Sequence, residues 1–374
     1  MKYLISINAP IRYTKENNDL TIILDYLKLE LEKTKSKIDK YYKEWEKVKK
    51  IIHDYEYIYY SSYRKKNISI ISPVSRAYFK FRELFYDYNI LLKNNSTICN
   101  LAESPGGFIE SIIHLANKEK KLNIYANSLL SRDKSIPVWN NAIRKYKINY
   151  LYGSKRNGDL CDFENLLSMI NMVGRNTCDL ITGDGGFDYS SDYSKQEYNS
   201  LRLIYSEIFM ALNIQKKGGI FICKIFDTFL YETIDLLYLL NLSYDEVYLH
   251  KPKISRNSNS EKYIVCLNFK GYDKKLINMM CHSFKTLKLD INTTTNFHDK
   301  ILKFIIEYTI NQIKSINKGI YIIENNMIDN HPSKNQLQLA IMWCDKYNIK
   351  INERCIYLNN QSLFQEDYYH SLRG

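Results

Sequence analysis

The sequence predicts an α/β protein whose sheet is mainly parallel and covered on both faces. Two observations carry this. Between about residues 67 and 271, short β-prone runs alternate with stretches of helical periodicity, the pattern of repeated βαβ units. The first run, Thr97-Ile98-Cys99, leads into Asn100-Leu101-Ala102-Glu103-Ser104-Pro105-Gly106-Gly107-Phe108 and then an apolar run with helical spacing. That is a strand, a tight glycine turn and a helix. Ligands of such folds gather outside the carboxyl ends of the strands.

The elements follow in order. Residues 15–66 read as helix, with Leu20, Leu24, Leu27, Leu31, Thr34, Ile38, Tyr41, Trp45, Val48, Ile52, Tyr55 and Tyr59 stepping alternately by four and three. This is a heptad-like seam with one polar member. As one helix it would extend about 60 Å at ~1.5 Å per residue. It packs either on the rest of this chain or on a protein partner, a second copy included. Strands are expected at 97–101, 122–127, 148–152, 178–183, 219–224, 244–249 and 261–267, with helices at 107–118, 137–146, 195–216 and 228–241. The last two strands are joined by a Pro-containing loop, so they should pair antiparallel at one edge. Residues 272–374 read as helices at about 297–316 and 334–347, with Ser333 as N-cap after Pro332. Three regions result: 1–66, 67–271 and 272–374.

Composition bounds the function. The 374 residues are 45% hydrophobic and 25% charged, as in globular domains. No apolar run approaches the ~20 residues of a membrane span, and Met1 to Pro10 lacks a signal-peptide pattern. A net charge of +12 favours a polyanion, nucleic acid first. The alternative is AT-rich coding, which the abundant Lys, Asn, Ile and Tyr would also reflect. Eight cysteines without a C-x-x-C pair point to a reducing, intracellular setting and no metal site.

The glycine turn brings backbone N–H groups and a helix N-terminus close to a ligand. It is not G-x-G-x-x-G, the dinucleotide fingerprint. It suits a cofactor without a pyrophosphate, and S-adenosylmethionine is the obvious candidate. Four other segments fall at ligand-binding places. Ser75-Arg76-Ala77-Tyr78-Phe79-Lys80-Phe81-Arg82-Glu83 is an amphipathic helix with Lys80 near its start. Asp184 ends an apolar strand beside Gly185 and Gly186. Lys224 ends another, Gly218 to Cys223, where a lysine is costly unless paired. Glu261 opens the last strand after Lys251-Pro252-Lys253-Ile254-Ser255-Arg256. Two lysines and two acids converging at one sheet edge can hold a hydroxyl and shift each other's pKa.

These motifs resemble the FtsJ-like (RrmJ-type) family of RNA ribose 2′-O-methyltransferases over about residues 70–270. The resemblance implies a Rossmann-like methyltransferase fold: a mostly parallel seven-stranded sheet with an antiparallel edge hairpin. It implies Lys80, Asp184, Lys224 and Glu261 as a catalytic Lys-Asp-Lys-Glu tetrad. It implies S-adenosylmethionine held by Glu103, Ser104, Pro105, Gly106, Gly107, Phe108 and Asp184. The wording "LAESPGGF" and "KPKISRNSNSEKYIVC" is closest to mRNA cap methyltransferases of large DNA viruses. The segment from Tyr152-Gly153 to Gly158-Asp159-Leu160 is similar too, and implies Asp159 beside the adenine. Strand two ends Tyr125-Ala126-Asn127-Ser128 without the usual acid, leaving Asn127, a backbone group, or Asn100 with Glu103 for the ribose.

The expected partner is RNA, with a capped mRNA 5′ end first, rRNA or tRNA second, and a non-catalytic RNA-binding subunit third. Arg76, Lys251, Lys253 and Arg256 are candidate phosphate contacts, and Tyr78 or Tyr189 candidate stacking groups. Lys80 is expected to lower the pKa of Lys224 by like-charge repulsion. A viral source would place the protein in the cytoplasm of an infected cell or in a virion.

Overall fold

The computed structural model describes residues 2–5, 18–116, 120–186 and 195–358. Tyr189 lies outside them. The centre is a mixed sheet of eight strands: β1 (Lys2–Leu4), β2 (Thr97–Leu101), β3 (Asn123–Asn127), β4 (Asn149–Leu151), β5 (Cys178–Gly183), β6 (Gln215–Ile225), β7 (Tyr244–His250) and β8 (Lys262–Phe269). Their order is β1-β7-β8-β6-β5-β2-β3-β4. Strands β4, β3, β2, β5 and β6 are parallel. β8 lies antiparallel between β6 and β7.

Two expectations are corrected here. The sheet has eight strands, because β1 adds antiparallel to the outside of β7 and takes the edge that the hairpin was expected to form. A three-residue strand is too short for a periodicity signal. The helix expected at 137–146 is reduced to one turn, α5 (Asn141–Arg144), entered through an Asn140 cap.

The helices are α1 (Asn18–Ser36), α2 (Tyr42–Ile51), α3 (Ala77–Asp87), α4 (Gly107–Ala116), α5 above, α6 (Phe163–Val173), α7 (Gln196–Ile214), α8 (Tyr231–Ser243), α9 (Lys274–Ser283), α10 (Thr295–Glu324) and α11 (Lys334–Lys346). α6 lies between the strands expected at 148–152 and 178–183, and α9 lies in the region 272–374 read as helical, each without bounds given from the sequence. Strand alternation sorts the packing. Phe221, Cys223 and Ile225 of β6 face a core shared with α7, α8, α9 and α10. Ile222 faces the other way, against Phe81 of α3 and Phe108 and Ile112 of α4.

The expected 60 Å helix is not continuous. It breaks after Ser36, passes a 3-10 turn at Asp39–Tyr41 and resumes as α2. At the break, Thr34 Oγ1 donates to the Glu30 carbonyl at 2.8 Å and Ser36 Oγ to that of Lys33 at 2.9 Å. Such back-bonding competes with the helical ladder. The seam is buried all the same: Leu24, Leu27, Leu31, Trp45 and Val48 are all under a tenth exposed. Leu31, Trp45 and Val48 cluster with Ile316, Ile320 and Ile323 of α10. α11 opens with the expected Ser333 cap, here a capping box with Gln336. It packs with residues 57–68 against Tyr78 and Phe79 of α3. Helices from both ends of the chain thus brace the sheet.

Candidate active site

The sheet order brings the chemistry together. β8, β6 and β5 are adjacent, and Asp184 and Lys224 lie at the carboxyl ends of β5 and β6. β8 runs the opposite way and starts at that edge, so Glu261, just before it, arrives there too. Lys224 follows Ile222 by two, on the face covered by α3 and α4. Lys80, in the first turn of α3, reaches down from that cover.

The four groups are paired. Lys80 Nζ donates to Glu261 Oε2 at 2.7 Å. Lys224 Nζ lies 3.3 Å from Asp184 Oδ1 and donates to the Asp184 carbonyl at 2.7 Å. All four side chains are between 11% and 15% exposed, so the pairs are partly desolvated and still open at one side. Burial pushes the Glu261 carboxyl up. Lys80, Lys224 and Lys251 outweigh it and hold the group at about 2. Burial lowers Lys224, but Asp184, Glu261 and Glu207 reverse this and leave its pKa raised. This corrects the expectation that Lys80 lowers it: the acids dominate, and Lys224 is an ammonium ion at neutral pH.

The support around the tetrad was not read from the sequence. Tyr263, fully buried, donates its OH to Asp184 Oδ1 at 2.7 Å. It is the register partner of Lys224 and follows Glu261 by two, so strand alternation was the available signal. Ser255 Oγ donates to Glu261 Oε1 at 2.8 Å. Glu207 of α7 lies beneath the Asp184 turn, its carboxylate within 3 Å of where a Cβ on Gly183 or Gly185 would sit. Glu83, one turn after Lys80, accepts from Lys253 N at 2.7 Å and from Trp343 Nε1 at 2.9 Å. Two neighbours on α3 therefore hold the loop before β8 at both ends.

Four RNA-contact expectations are corrected. Tyr78 is fully buried, its OH beside His114 Nδ1 at 3.0 Å, and offers no stacking face. Arg76 and Arg256 both pair with Glu56, at 3.2 and 2.6 Å; Glu56 is completely buried. Lys251 is buried and donates to the Glu261 carbonyl at 2.8 Å and to Asn259 Oδ1 at 2.8 Å. These cations stabilise the loop internally; Glu56 lies too far along the chain from either arginine for sequence spacing to show the pair. Lys253 is exposed, its Nζ 5.6 Å from the Tyr55 ring centre.

The glycine turn sits at the carboxyl end of β2, between β5 and β3, where the strand order reverses. Glu103 is buried, and its Oε1 accepts from Phe108 N at 2.8 Å and Ile109 N at 3.2 Å. It thereby caps α4. Burial first, then Asp184, push its pKa well up against the pull of those N–H groups and Lys224. Gly106 has φ +113°, a conformation that favours glycine. A Cβ on Gly107 would meet Ser75 Oγ, the Ala77 Cβ at 2.9 Å and Tyr78 N at 3.0 Å. Glycine here lets α4 touch the start of α3. Glu103 Oε2 and Ser104 Oγ are buried without a hydrogen-bond partner among the described residues. Orphaned polar atoms beside a helix N-terminus fit a polar cofactor such as S-adenosylmethionine. Phe108 is fully buried in the core, so its side chain supports the turn, and Pro105 gives its carbonyl to Asn140 N.

The cofactor's ribose partner is corrected. Asn127 is fully buried; its Nδ2 donates to the carbonyls of Leu151 and Gly158 at 2.9 and 3.0 Å. Asn100 is equally buried, tied to Thr182 and Tyr125. Both tie strand ends together. Asp159 is half-buried, and its Oδ1 accepts from Cys161 N at 2.8 Å. No metal was expected. Glu83, Asp87 and His250 bring ligand-type atoms within 4.8 Å of one another. Glu83 is held as above, and Asp87 Oδ1 by Lys346 and Tyr347.

A mostly parallel sheet with a glycine turn at its switch point, beside a paired lysine–acid cluster, defines the class: an α/β transferase domain of methyltransferase type. The FtsJ-like methyltransferase family model matches residues 73–269, and the chain belongs to that family. A Caenorhabditis briggsae protein named cap-specific mRNA (nucleoside-2′-O-)-methyltransferase 1A is 34% identical over 199 residues, 52% of this chain and 22% of that one. The Trypanosoma brucei brucei cap-specific mRNA (nucleoside-2′-O-)-methyltransferase 1 is 30% identical over 184 residues, 49% of this chain and 50% of that one. A C. briggsae relative named inactive, 1B, is 32% identical over 199 residues, 52% of this chain and 23% of that one. The chain thus spans half or less of the length of these relatives. A crystal structure provisionally described as a Plasmodium falciparum ribosomal RNA methyltransferase aligns with 53% of this chain and 98% of its own. Its TM-score is 0.39 and its identity 24%.

Proposed function

We propose that this protein is an S-adenosylmethionine-dependent RNA ribose 2′-O-methyltransferase acting at the capped 5′ end of mRNA. The observation that carries it is the paired tetrad of Lys80, Asp184, Lys224 and Glu261 next to the Glu103–Phe108 turn. The cap assignment is supported by the motif wording and by the relatives' names. A viral source and an infected-cell location belong to the same proposal; the relatives reported above are nematode and trypanosome proteins.

When bound, S-adenosylmethionine supplies an electrophilic methyl group. The chain's contribution is placement, which accounts for much of the rate of an in-line displacement. Lys224 enters as an ammonium ion fixed by two oxygens of Asp184. It orients the 2′-oxygen and stabilises the negative charge that grows there as the O–CH3 bond forms, the sulfur–methyl bond breaks and the hydroxyl proton passes to solvent water. Lys224 can take that proton only as the neutral amine, a form that Asp184, Glu261 and Glu207 disfavour. Glu261 keeps Lys80 in place beside the same hydroxyl, and Tyr263 keeps Asp184 in place. Glu103 and Ser104 offer polar atoms to the cofactor.

The test is methyl transfer from labelled S-adenosylmethionine to one short RNA, capped and uncapped. Transfer to the capped form, lost in Lys224→Ala while cofactor affinity stays within about twofold, is expected. Equal use of both RNAs defeats the cap assignment. Activity retained in Lys224→Ala overturns its role. No transfer to any RNA favours a non-catalytic subunit, the reading that the inactive relative keeps open.

A further inference from the structure

A cavity of about 460 Å³ opens between α10, the turn after α2 and the loop joining β7 to β8. That volume is in the range of ligand sites. Its charged lining is one-sided: Lys251, Lys253, Lys262, Lys314 and Lys318 against Asp54. Two of the lysines are built into the wall, Lys251 at 8% and Lys262 at 4% exposed. Lys262 Nζ donates to the Ser260 carbonyl at 3.0 Å and stands 5.7 Å from the Tyr308 ring centre. Lys251 meets Asn259 and the Glu261 carbonyl. The carboxylates of Glu261 and Asp227 attract Lys251, and those of Asp227 and Glu197 attract Lys262. Burial drags the two ammonium groups down, to about 7 and about 8. An anion entering the cavity would reverse that.

Lys314 and Lys318 are exposed and one helical turn apart on α10, where side chains four residues apart are neighbours. His53 also lines the cavity, buried, with Nε2 lacking a hydrogen-bond partner among the described residues. Lys251 joins this cavity to the tetrad, because it lines the one and donates to the main chain of Glu261 in the other. The α10 wall lies outside residues 73–269, which the family model matches.

We propose that this cavity seats a linked phosphate chain of the RNA, holding the nucleotides beside the one presented to Lys224. This rests on RNA being the substrate. The phosphates belong either to the RNA backbone or to the 5′-phosphate chain. The test compares wild type with Lys314→Glu/Lys318→Glu, whose fold is checked by thermal melting. The probes are inorganic tripolyphosphate and two RNA 10-mers of one sequence, 5′-triphosphate and 5′-hydroxyl.

The variant should bind tripolyphosphate at least about tenfold more weakly and, with the capped RNA of the activity test as substrate, raise KM without lowering kcat. Loss for both RNAs, with a salt slope reduced by about 1.4 for two phosphate contacts, assigns the backbone. Loss for the triphosphate RNA alone assigns the 5′ chain. Affinities within twofold for all three probes overturn the proposal. If wild type methylates no RNA yet tripolyphosphate binding still depends on the lysine pair, the enzyme reading fails while the phosphate site stands.

Discussion

Glu261→Gln isolates the electrostatics of the site. Glutamine has nearly the shape of the neutral acid, so it removes the charge and little else. The carboxyl lies 2.7 Å from Lys80 and is 14% exposed. Its surroundings move it from 4.5 to about 2. At about 1.4 kcal/mol per pKa unit, the carboxylate contributes about 3 kcal/mol to folding at neutral pH. The native value is the depressed one, so this stability is complete above about pH 4.5 and fades as pH falls toward 2. Linkage leaves most of this at pH 4 and less than half of it at pH 3. For 374 residues the glutamine variant should therefore melt about 4 °C below wild type at pH 7.5. The gap should narrow steadily in melts run at pH 5, 4 and 3. Equal Tm values at pH 7.5, or a gap that does not shrink on acidification, would refute the ion-pair account of Glu261.

Two further outcomes follow from packing. Gly107→Ala pushes a methyl into Ala77 and the Tyr78 backbone, shifting the helix that carries Lys80. Stability should fall by about 1–3 kcal/mol, and transfer at least about tenfold through misplacement of that lysine; wild-type kcat at unchanged Tm would count against the close approach. Gly319→Ala on α10 sets a Cβ 2.5 Å from the Trp45 ring. It should cost about 1–3 kcal/mol in chemical denaturation with cofactor affinity kept, and an unchanged midpoint would show that the α2–α10 contact is loose.

Local chemistry made much of this protein legible. Asp184 and Lys224 each end an apolar strand, Lys80 starts a helix with a clear apolar face, and Glu261 opens a strand. The sheet order that brings them together follows from short right-handed connections between parallel strands. The seam of α1 and α2 was visible because heptad spacing marks a buried face, whatever covers it. Its interruption was less visible, since Thr34 and Ser36 act through side-chain bonds that a periodicity count ignores.

What a positive charge does could not be decided from its position in the chain. Arg76 and Arg256 looked like phosphate contacts until folding placed Glu56, distant from Arg256 in sequence, between them. Lys251 turned inward onto Asn259 and the Glu261 carbonyl of its own loop, and Asn127 became a strand tie. The pKa of Lys224 is a sum over three acids from α7, β5 and the β8 entrance, so like-charge proximity alone gave the wrong sign. The sequence by itself determined the chemical groups and the strand or helix that carries each, because those depend on neighbours within a few residues. Tertiary structure alone decided which charges are paired, which are buried and which face a ligand. Coulomb energy and desolvation depend on distance in space and on exclusion of water, and neither is a local property of the chain.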